Sequence, residues 1–352
     1  MRGWIHTSRG PASEVLSLSD SLALPTTQAP NDVLVKVRHA ALNPAGSIFM
    51  RLCPLWLRNK PCIPEMDFSG ELVSVGTSES VPLLSKDRGL KPGLQVFGSI
   101  PVGLHLKGQG ALGEYVVVDS ECIVAAPQTL PLAEAAGLPI AGCTALSLLD
   151  GADLKNGQKV LINGAAGGIG SLIMQMARHA LGPESHIVAV SSREKLALLK
   201  ELGADEVLDR KSVPSVPQYL TERHSKQPFD VIIDAYGVQE LYTNCASFLK
   251  ADGMFVTVGI AFLEYSYGSM FVAVKDMLRN ILVSAWGGHD RRRYVQVSST
   301  SSLEGLERLK AMCEDQNMRV PIDSSWAFDD VVKVRLTSLL KSHKLTDYVP
   351  GL

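Results

Sequence analysis

The sequence predicts an α/β protein: a compact, mainly β domain followed by a doubly wound parallel sheet with helices on both faces. Three observations carry this. Up to about residue 125, short apolar runs are divided by Gly, Pro and Asn, the texture of short strands joined by turns. From about residue 130 the spacing lengthens, and strands that are apolar on both faces alternate with helical stretches, as a parallel sheet covered on both sides requires. A glycine cluster sits between one of those strands and the helix after it.

In order, the first domain shows strand-like runs at 33–37, 70–75, 95–97 and 115–118. The second opens with a strand at 159–163, a helix over 170–181 and a strand at 186–190, one β-α-β unit. A helix over 193–202, strands at 206–208 and 229–234, a helix over 239–249 and a strand at 254–258 continue the alternation. After about 300 come a helix over 303–314, a short strand and a second helix. This tail is too small to fold alone and is expected to pack on the first domain. The boundaries are therefore 1–125, completed by 300–352, and 126–299.

A chain of 352 residues suits two domains. Hydrophobic residues at 46% and charged residues at 20% exclude disordered and fibrous classes. The 34 Lys+Arg nearly balance 36 Asp+Glu, for a net charge of -2, so nothing draws the chain globally to nucleic acid or acidic membranes. Neither is expected as a partner. A small-molecule substrate bound at a local site is. The uncharged stretch 135–149 is broken by Gly137, Pro139 and Gly142 and is too short for a bilayer. The start has no leader-like apolar segment, so a cytoplasmic location is expected. Six dispersed cysteines without C-x-x-C read as reduced, mostly packing thiols. The Arg291, Arg292, Arg293 cluster reads as a solvated turn.

The segment Lys159-Val-Leu-Ile-Asn-Gly-Ala-Ala-Gly-Gly-Ile-Gly170 has the context of a dinucleotide site: a buried strand, a glycine turn and a helix with Leu172, Ile173, Met176 and Ala177 on its apolar side. Ala165, Ala166, Gly167, Gly168 and Ile169 form the turn. Gly167 and Gly168 let backbone approach a pyrophosphate, Gly170 lets the helix press on the sheet, and the helix N-terminus offers N–H groups. The end of the next strand selects the cofactor. An acidic residue there takes the ribose hydroxyls of NAD, but this chain reads Val190-Ser-Ser-Arg-Glu-Lys195. Ser191 and Ser192 offer hydrogen bonds, Arg193 and Lys195 positive charge, and Arg210 is placed to join them. Two charge-assisted contacts at about 1.5 to 3 kcal/mol each, discounted for exposure, favour NADPH by roughly tenfold to a thousandfold. The plainer alternative makes Arg193 and Lys195 the solvated first turn of a helix.

The sequence resembles the zinc-independent medium-chain dehydrogenases/reductases of the quinone oxidoreductase type, in the enone and enoyl reductase branch. The likeness rests on Asn43-Pro44, Pro64-Glu-Met-Asp-Phe-Ser-Gly70, Lys91-Pro-Gly-Leu-Gln-Val-Phe-Gly98, Gly110-Ala-Leu-Gly-Glu-Tyr115, Gly137-Leu-Pro-Ile-Ala-Gly-Cys-Thr-Ala145, Ala165-Ala-Gly-Gly-Ile-Gly170 and Leu202-Gly-Ala-Asp205. It implies a GroES-like catalytic domain from the two ends of the chain, a Rossmann domain between them, NADPH, and a homodimer formed through an edge strand near 292–298. The zinc motifs of the wider superfamily, Gly-His-Glu and a four-cysteine lobe, are absent from the sequence, so no metal is expected.

The activity implied is hydride transfer to an α,β-unsaturated carbonyl, a quinone or an enoyl group, with the carbonyl polarised by hydrogen bonds. The resemblance places Asn43 beside the nicotinamide, where its amide can orient the ring as a cofactor contact or donate to the developing enolate oxygen as the catalytic amide, with Thr144 near the ribose and Val258, Gly259 and Ile260 at the strand end where cofactors lie. Asn43 also has a local reading, a strand-ending Asx turn before Pro44. Relatives usually carry an acidic residue where Gly46 stands and often a Tyr where Ile48 stands, so no general acid is evident and water is expected to protonate the product. Phe49, Leu55, Trp56, Phe262 and Tyr265 are candidate pocket walls. The tail Ser342-His-Lys-Leu-Thr-Asp-Tyr-Val-Pro also departs from the family ending. The second reading of function is an NADPH-binding scaffold or sensor without turnover.

Overall fold

The computed structural model describes residues 1–76, 88–261, 264–286, 292–298, 300–333 and 347–350. The chain divides into two compact units, Met1–Cys143 with Thr300–Leu352, and Thr144–Ser299. The break falls inside the Pro139–Ala152 helix.

In the first unit, β1 (Gly3–Ile5) and β2 (Ser17–Ser19) form an antiparallel pair. A larger sheet contains β3 (Asp32–Leu42), β4 (Asp67–Val75), β5 (Gln95–Ser99), β6 (Tyr115–Asp119) and β7 (Ile123–Ala125). Along β3, Val33, Val35 and Val37 are fully buried and alternate with less buried neighbours, the period of a strand covered on one face. They pack with Phe68, Leu72, Val96, Val116, Val118 and Ile123. Gly70 lies in β4 because a Cβ there would stand 2.1 Å from the Lys36 carbonyl oxygen across the ladder. The end of the chain joins this unit. Phe328 and Val331 enter its core, the Trp4 indole donates to the Phe328 carbonyl at 2.8 Å, and the backbone strand Asp347–Pro350 pairs antiparallel with β3.

The second unit is a six-stranded sheet of β8 (Lys159–Asn163), β9 (His186–Ser191), β10 (Glu206–Asp209), β11 (Phe229–Asp234), β12 (Leu249–Thr257) and β13 (Arg293–Gln296), all pairs parallel, in the order β10-β9-β8-β11-β12-β13. The order reverses between β8 and β11, and that switch point is where open α/β sheets bind ligands. Consecutive residues Val160, Leu161 and Ile162, and Ile187, Val188 and Ala189, are all fully buried, which is why these strands read as unbroken apolar runs. The α/β fold expected from the sequence is present.

Two predicted helices differ in detail. The stretch 193–202 opens with a 3-10 turn, Arg193–Lys195, and becomes α-helical only at Leu196–Glu201, because the Lys195 N–H bonds the Ser192 carbonyl three residues back. The stretch 239–249 is a short helix Gln239–Thr243 and a 3-10 turn Cys245–Ser247, and Leu249 already begins β12, drawn there by pairing with Phe229. The Leu202-Gly-Ala-Asp205 motif is a structural latch. Asp205 accepts from the Ile187 N–H at 2.7 Å and from the Arg178 guanidinium, and Arg178 Nε also donates to the Gly203 carbonyl at 3.0 Å. All six cysteines are free thiols, and burial pushes that of Cys313 up to about 12. Among the described residues no helix is long and apolar enough to cross a membrane.

Candidate functional site

In the second unit, β8 ends at Asn163 and the chain turns at Gly164, whose φ of +71° is open to glycine at little cost. The helix Gly168–Leu181 follows, with Gly167 as an N-cap that supplies no side-chain hydrogen bond. Its first N–H groups are therefore uncapped by any side chain of its own N-cap residue. Ala165, Ala166 and Gly170 are buried, whereas Gly167, Gly168 and Ile169 are only partly so. Gly170 has no room for a side chain: a Cβ would lie 2.2 Å from the Gly164 carbonyl oxygen and 2.7 Å from the Ala165 Cα. The Ala165 N–H donates to the Val190 carbonyl at 3.1 Å, so the turn is pinned to the end of β9.

Below this turn lies a pair that sequence reasoning missed. Asn163 Nδ2 donates to the fully buried Asp234 at 2.8 Å, and Asp234 also accepts from the N–H groups of Tyr236, Gly237 and Val238 at 3.1, 2.9 and 2.6 Å. Burial pushes the Asp234 carboxyl up, and these donors oppose that shift. The pair joins the ends of β8 and β11 at the switch point. The only signal for it in the sequence is a polar residue closing each of two apolar strands. Gly259 continues the edge, its N–H donating to Thr257 Oγ1 at 3.2 Å, between half-buried Val258 and Ile260.

At the end of β9, Ser191 is buried and pairs in register with Asp209 of β10. The Arg210 N–H donates to the Ser191 carbonyl at 2.9 Å, which brings Arg210 to the same edge. Ser192 and Lys195 are half-buried and Arg193 is exposed. The sequence reading overlooked Glu194, which lies between Arg193 and Lys195 and 3.8 Å from Lys211. It also overlooked Asp209, whose carboxylate accepts from the Lys211 N–H at 2.9 Å. Thr144, half-buried on the Pro139–Ala152 helix, begins this unit.

Asn43 belongs to the first unit. It is the N-cap of the helix Pro44–Leu52, yet its side chain does not cap that helix, so the Asx-turn reading does not hold. Its Nδ2 instead donates to Asp67 Oδ2 at 3.0 Å, and the same oxygen accepts from the Ile140 N–H at 3.0 Å. The Asn43 amide thus turns an N–H toward Asp67. Among the described residues the Asn43 side chain makes no other hydrogen bond, so its carbonyl oxygen and second N–H remain for a ligand. The Asn43 backbone N–H donates to Glu65 at 2.9 Å. Glu65 and Asp67 are both fully buried, and sequence reasoning assigned a role to neither. Their only signal is a pair of carboxylates in the otherwise uncharged Pro64-Glu-Met-Asp-Phe-Ser-Gly70.

Burial pushes the Asp67 carboxyl up to about 7, against the hydrogen bonds from the Ile140 N–H and Asn43 that pull it down. The sign follows from linkage. The folded chain holds this proton more tightly than the unfolded chain, whose carboxyl titrates near 3.8, so stability falls as pH rises from about 4 to about 7. Asp67→Asn removes that contribution. Relative to wild type, its melting temperature should rise with pH across the window, as thermal unfolding of the two proteins side by side will read. Parallel curves would refute the assignment.

Of the candidate pocket walls, the Phe49 ring meets His105 edge-on at 5.1 Å, Leu55 and Tyr265 are half-buried, and Trp56 is 82% exposed. Phe262 lies outside the described residues, as does 342–346 of the tail.

Residues 29–128 match the alcohol dehydrogenase GroES-like domain and residues 168–300 match the family described as zinc-binding dehydrogenase. The medium chain reductase pydE of Acremonium sp is 30% identical over 361 residues, covering 96% of this chain and 96% of that protein. The chain belongs to the medium-chain dehydrogenase/reductase family. A second relative, the 2-methylene-furan-3-one reductase of Solanum lycopersicum, is 33% identical over 298 residues, 80% of this chain and 69% of that protein. The fold matches that of the quinone oxidoreductase from Coxiella burnetii with a TM-score of 0.77 over 100% of this chain and 99% of that one, at 24% identity. This is a nicotinamide-dependent oxidoreductase fold. Among the described residues no group of three or more His, Cys, Asp or Glu is placed to hold a metal ion. For a dinucleotide the fit is better: the uncapped helix N-terminus suits a phosphate.

Proposed function

We propose that this protein is an NADPH-dependent oxidoreductase that reduces an α,β-unsaturated carbonyl, a quinone or an enoyl group without a metal. The observation that carries the reading is the turn 164–170, where Gly170 excludes a Cβ and the Gly168–Leu181 helix starts uncapped. The turn, with Ala165, Ala166, Gly167, Gly168 and Ile169, would hold the pyrophosphate. Ser191, Ser192, Arg193, Lys195 and Arg210 would hold the 2'-phosphate, with Glu194 offset by Lys211 at 3.8 Å. Thr144, Val258, Gly259 and Ile260 would line the cofactor.

Bound NADPH supplies a hydride. The chain's own residues position the acceptor. Asn43, locked by Asp67, offers a pre-oriented N–H to the carbonyl oxygen and a carbonyl oxygen to a ligand donor, and fixed donors of this kind stabilise developing negative charge without reorganisation. Water protonates the product. The S. lycopersicum relative, whose name specifies a conjugated methylene ketone, supports this acceptor class. A homodimer through the β13 edge belongs to the same reading.

The test is titration of the protein with NADPH and NADH, followed by NADPH oxidation with a panel of enones, quinones and enoyl thioesters. NADPH should bind roughly tenfold to a thousandfold more tightly than NADH, and Arg193→Ala with Arg210→Ala should erase most of that preference. Tighter binding of NADH would overturn the cofactor assignment. NADPH binding without turnover of any acceptor would favour the scaffold reading.

A further inference from the structure

Glu65 is a glutamate where a glutamate is costly. Its φ is +65°, a left-handed conformation that residues with a side chain adopt rarely. Its carboxylate is also fully buried, which is unfavourable unless the charge is hydrogen-bonded. The reason lies in what the carboxylate reaches. It accepts from the Asn43 backbone N–H at 2.9 Å, at the N-cap of the nine-residue Pro44–Leu52 helix, whose first turn has no acidic residue of its own. It also fills the place of a side chain. A Cβ on Gly46 would stand 2.2 Å from Glu65 Oε1 and 2.7 Å from both its Cδ and Oε2. Position 46 is glycine because the carboxylate of residue 65 occupies its side-chain space. One buried carboxylate thus sits against a helix N-terminus, where negative charge is favoured, and it reaches that spot from outside the helix.

Asn43 is consequently held from two sides. Glu65 fixes its backbone and Asp67 its side-chain amide at 3.0 Å. We propose that Glu65 is a positioning residue for Asn43, and that Glu65 and Gly46 form a reciprocal pair in which the carboxylate can be carried by either residue but not by both. This rests on the reading of Asn43 as the amide that meets the substrate.

The experiment uses five variants, Glu65→Ala, Glu65→Gln, Glu65→Gly, Gly46→Asp and the Glu65→Gly/Gly46→Asp double, read in two independent ways. Glu65→Ala should lower kcat about tenfold to a hundredfold, the scale of a small misplacement of a reacting group, with the Kd for NADPH unchanged. Glu65→Gln keeps an acceptor for the Asn43 N–H and should recover most of that loss. Gly46→Asp alone crowds two carboxylates into one space and should lower both the melting temperature and kcat. Combined with Glu65→Gly it restores a single carboxylate, and the double variant should exceed either parent in both measures.

The second readout does not depend on turnover. In protein labelled with nitrogen-15 at asparagine, the Asn43 side-chain amide signal, assigned by its loss in an Asn43 variant, reports the bond to Asp67. It should move in Glu65→Ala and return in Glu65→Gln and in the double variant. A wild-type kcat or an unmoved amide signal in Glu65→Ala would overturn the proposal, as would a double variant no better than its parents. If the wild-type protein reduces no acceptor, the function reading fails, while the amide signal and melting temperatures still decide the role of Glu65.

Discussion

Asn43→Ala is expected to lower kcat/KM for the acceptor about a hundredfold to a thousandfold, a far larger effect than on the Kd for NADPH. Loss of one well-placed donor to a developing oxyanion has that size. The donor here is unusually well defined, because Asp67 accepts from Asn43 Nδ2 at 3.0 Å and so fixes the orientation of the amide. Removing Asn43 also strips Asp67, fully buried, of one of its donors, so the Asp67 carboxyl should be pushed further above about 7. Steady-state kinetics against pH, with NADPH binding measured separately, will read both effects. An unchanged kcat/KM would move the catalytic amide elsewhere.

The second large effect is expected from Gly170→Ala. The added methyl meets three backbone atoms, at 2.2 Å from the Gly164 oxygen, 2.7 Å from the Ala165 Cα and 2.8 Å from the Ala165 carbonyl carbon. No side-chain rotation relieves contacts with backbone, so the helix start must move away from the turn. NADPH affinity should fall by about a hundredfold or more, and the melting temperature should fall with it. Gly157→Ala is not a suitable control, because φ there is +82° and the substitution is strained for a different reason. Calorimetric titration of Gly170→Ala decides the matter, and unchanged NADPH binding would remove the turn from the cofactor site.

How legible each part was depends on how far apart its causes lie in the chain. The strands of the second unit were plain because burial on both faces writes itself as an unbroken apolar run, as in Val160, Leu161 and Ile162. The glycine turn was plain because strand, turn and helix are contiguous. The Pro44–Leu52 helix was not, since Pro44-Ala-Gly-Ser47 looks like a turn by local propensity. It persists because Met50 and Leu52 are buried and a carboxylate sits at its start. The Asn43–Asp67 and Asn163–Asp234 pairs join residues 24 and 71 positions apart, and the local signals mark the members without announcing that they meet. In both, an asparagine on one strand end meets a fully buried aspartate on another, a relation that only the folded register creates.

The tie between Trp4 and Phe328, at 2.8 Å across 324 positions, has a consequence for biosynthesis. The six-stranded unit is inserted within its host, so the ribosome releases it whole while the host still lacks Phe328, Val331 and the backbone strand Asp347–Pro350. Domains generally fold as units as they emerge. The inserted one should therefore mature first, and the half holding Asn43 should acquire these core residues only after the whole inserted unit has been made.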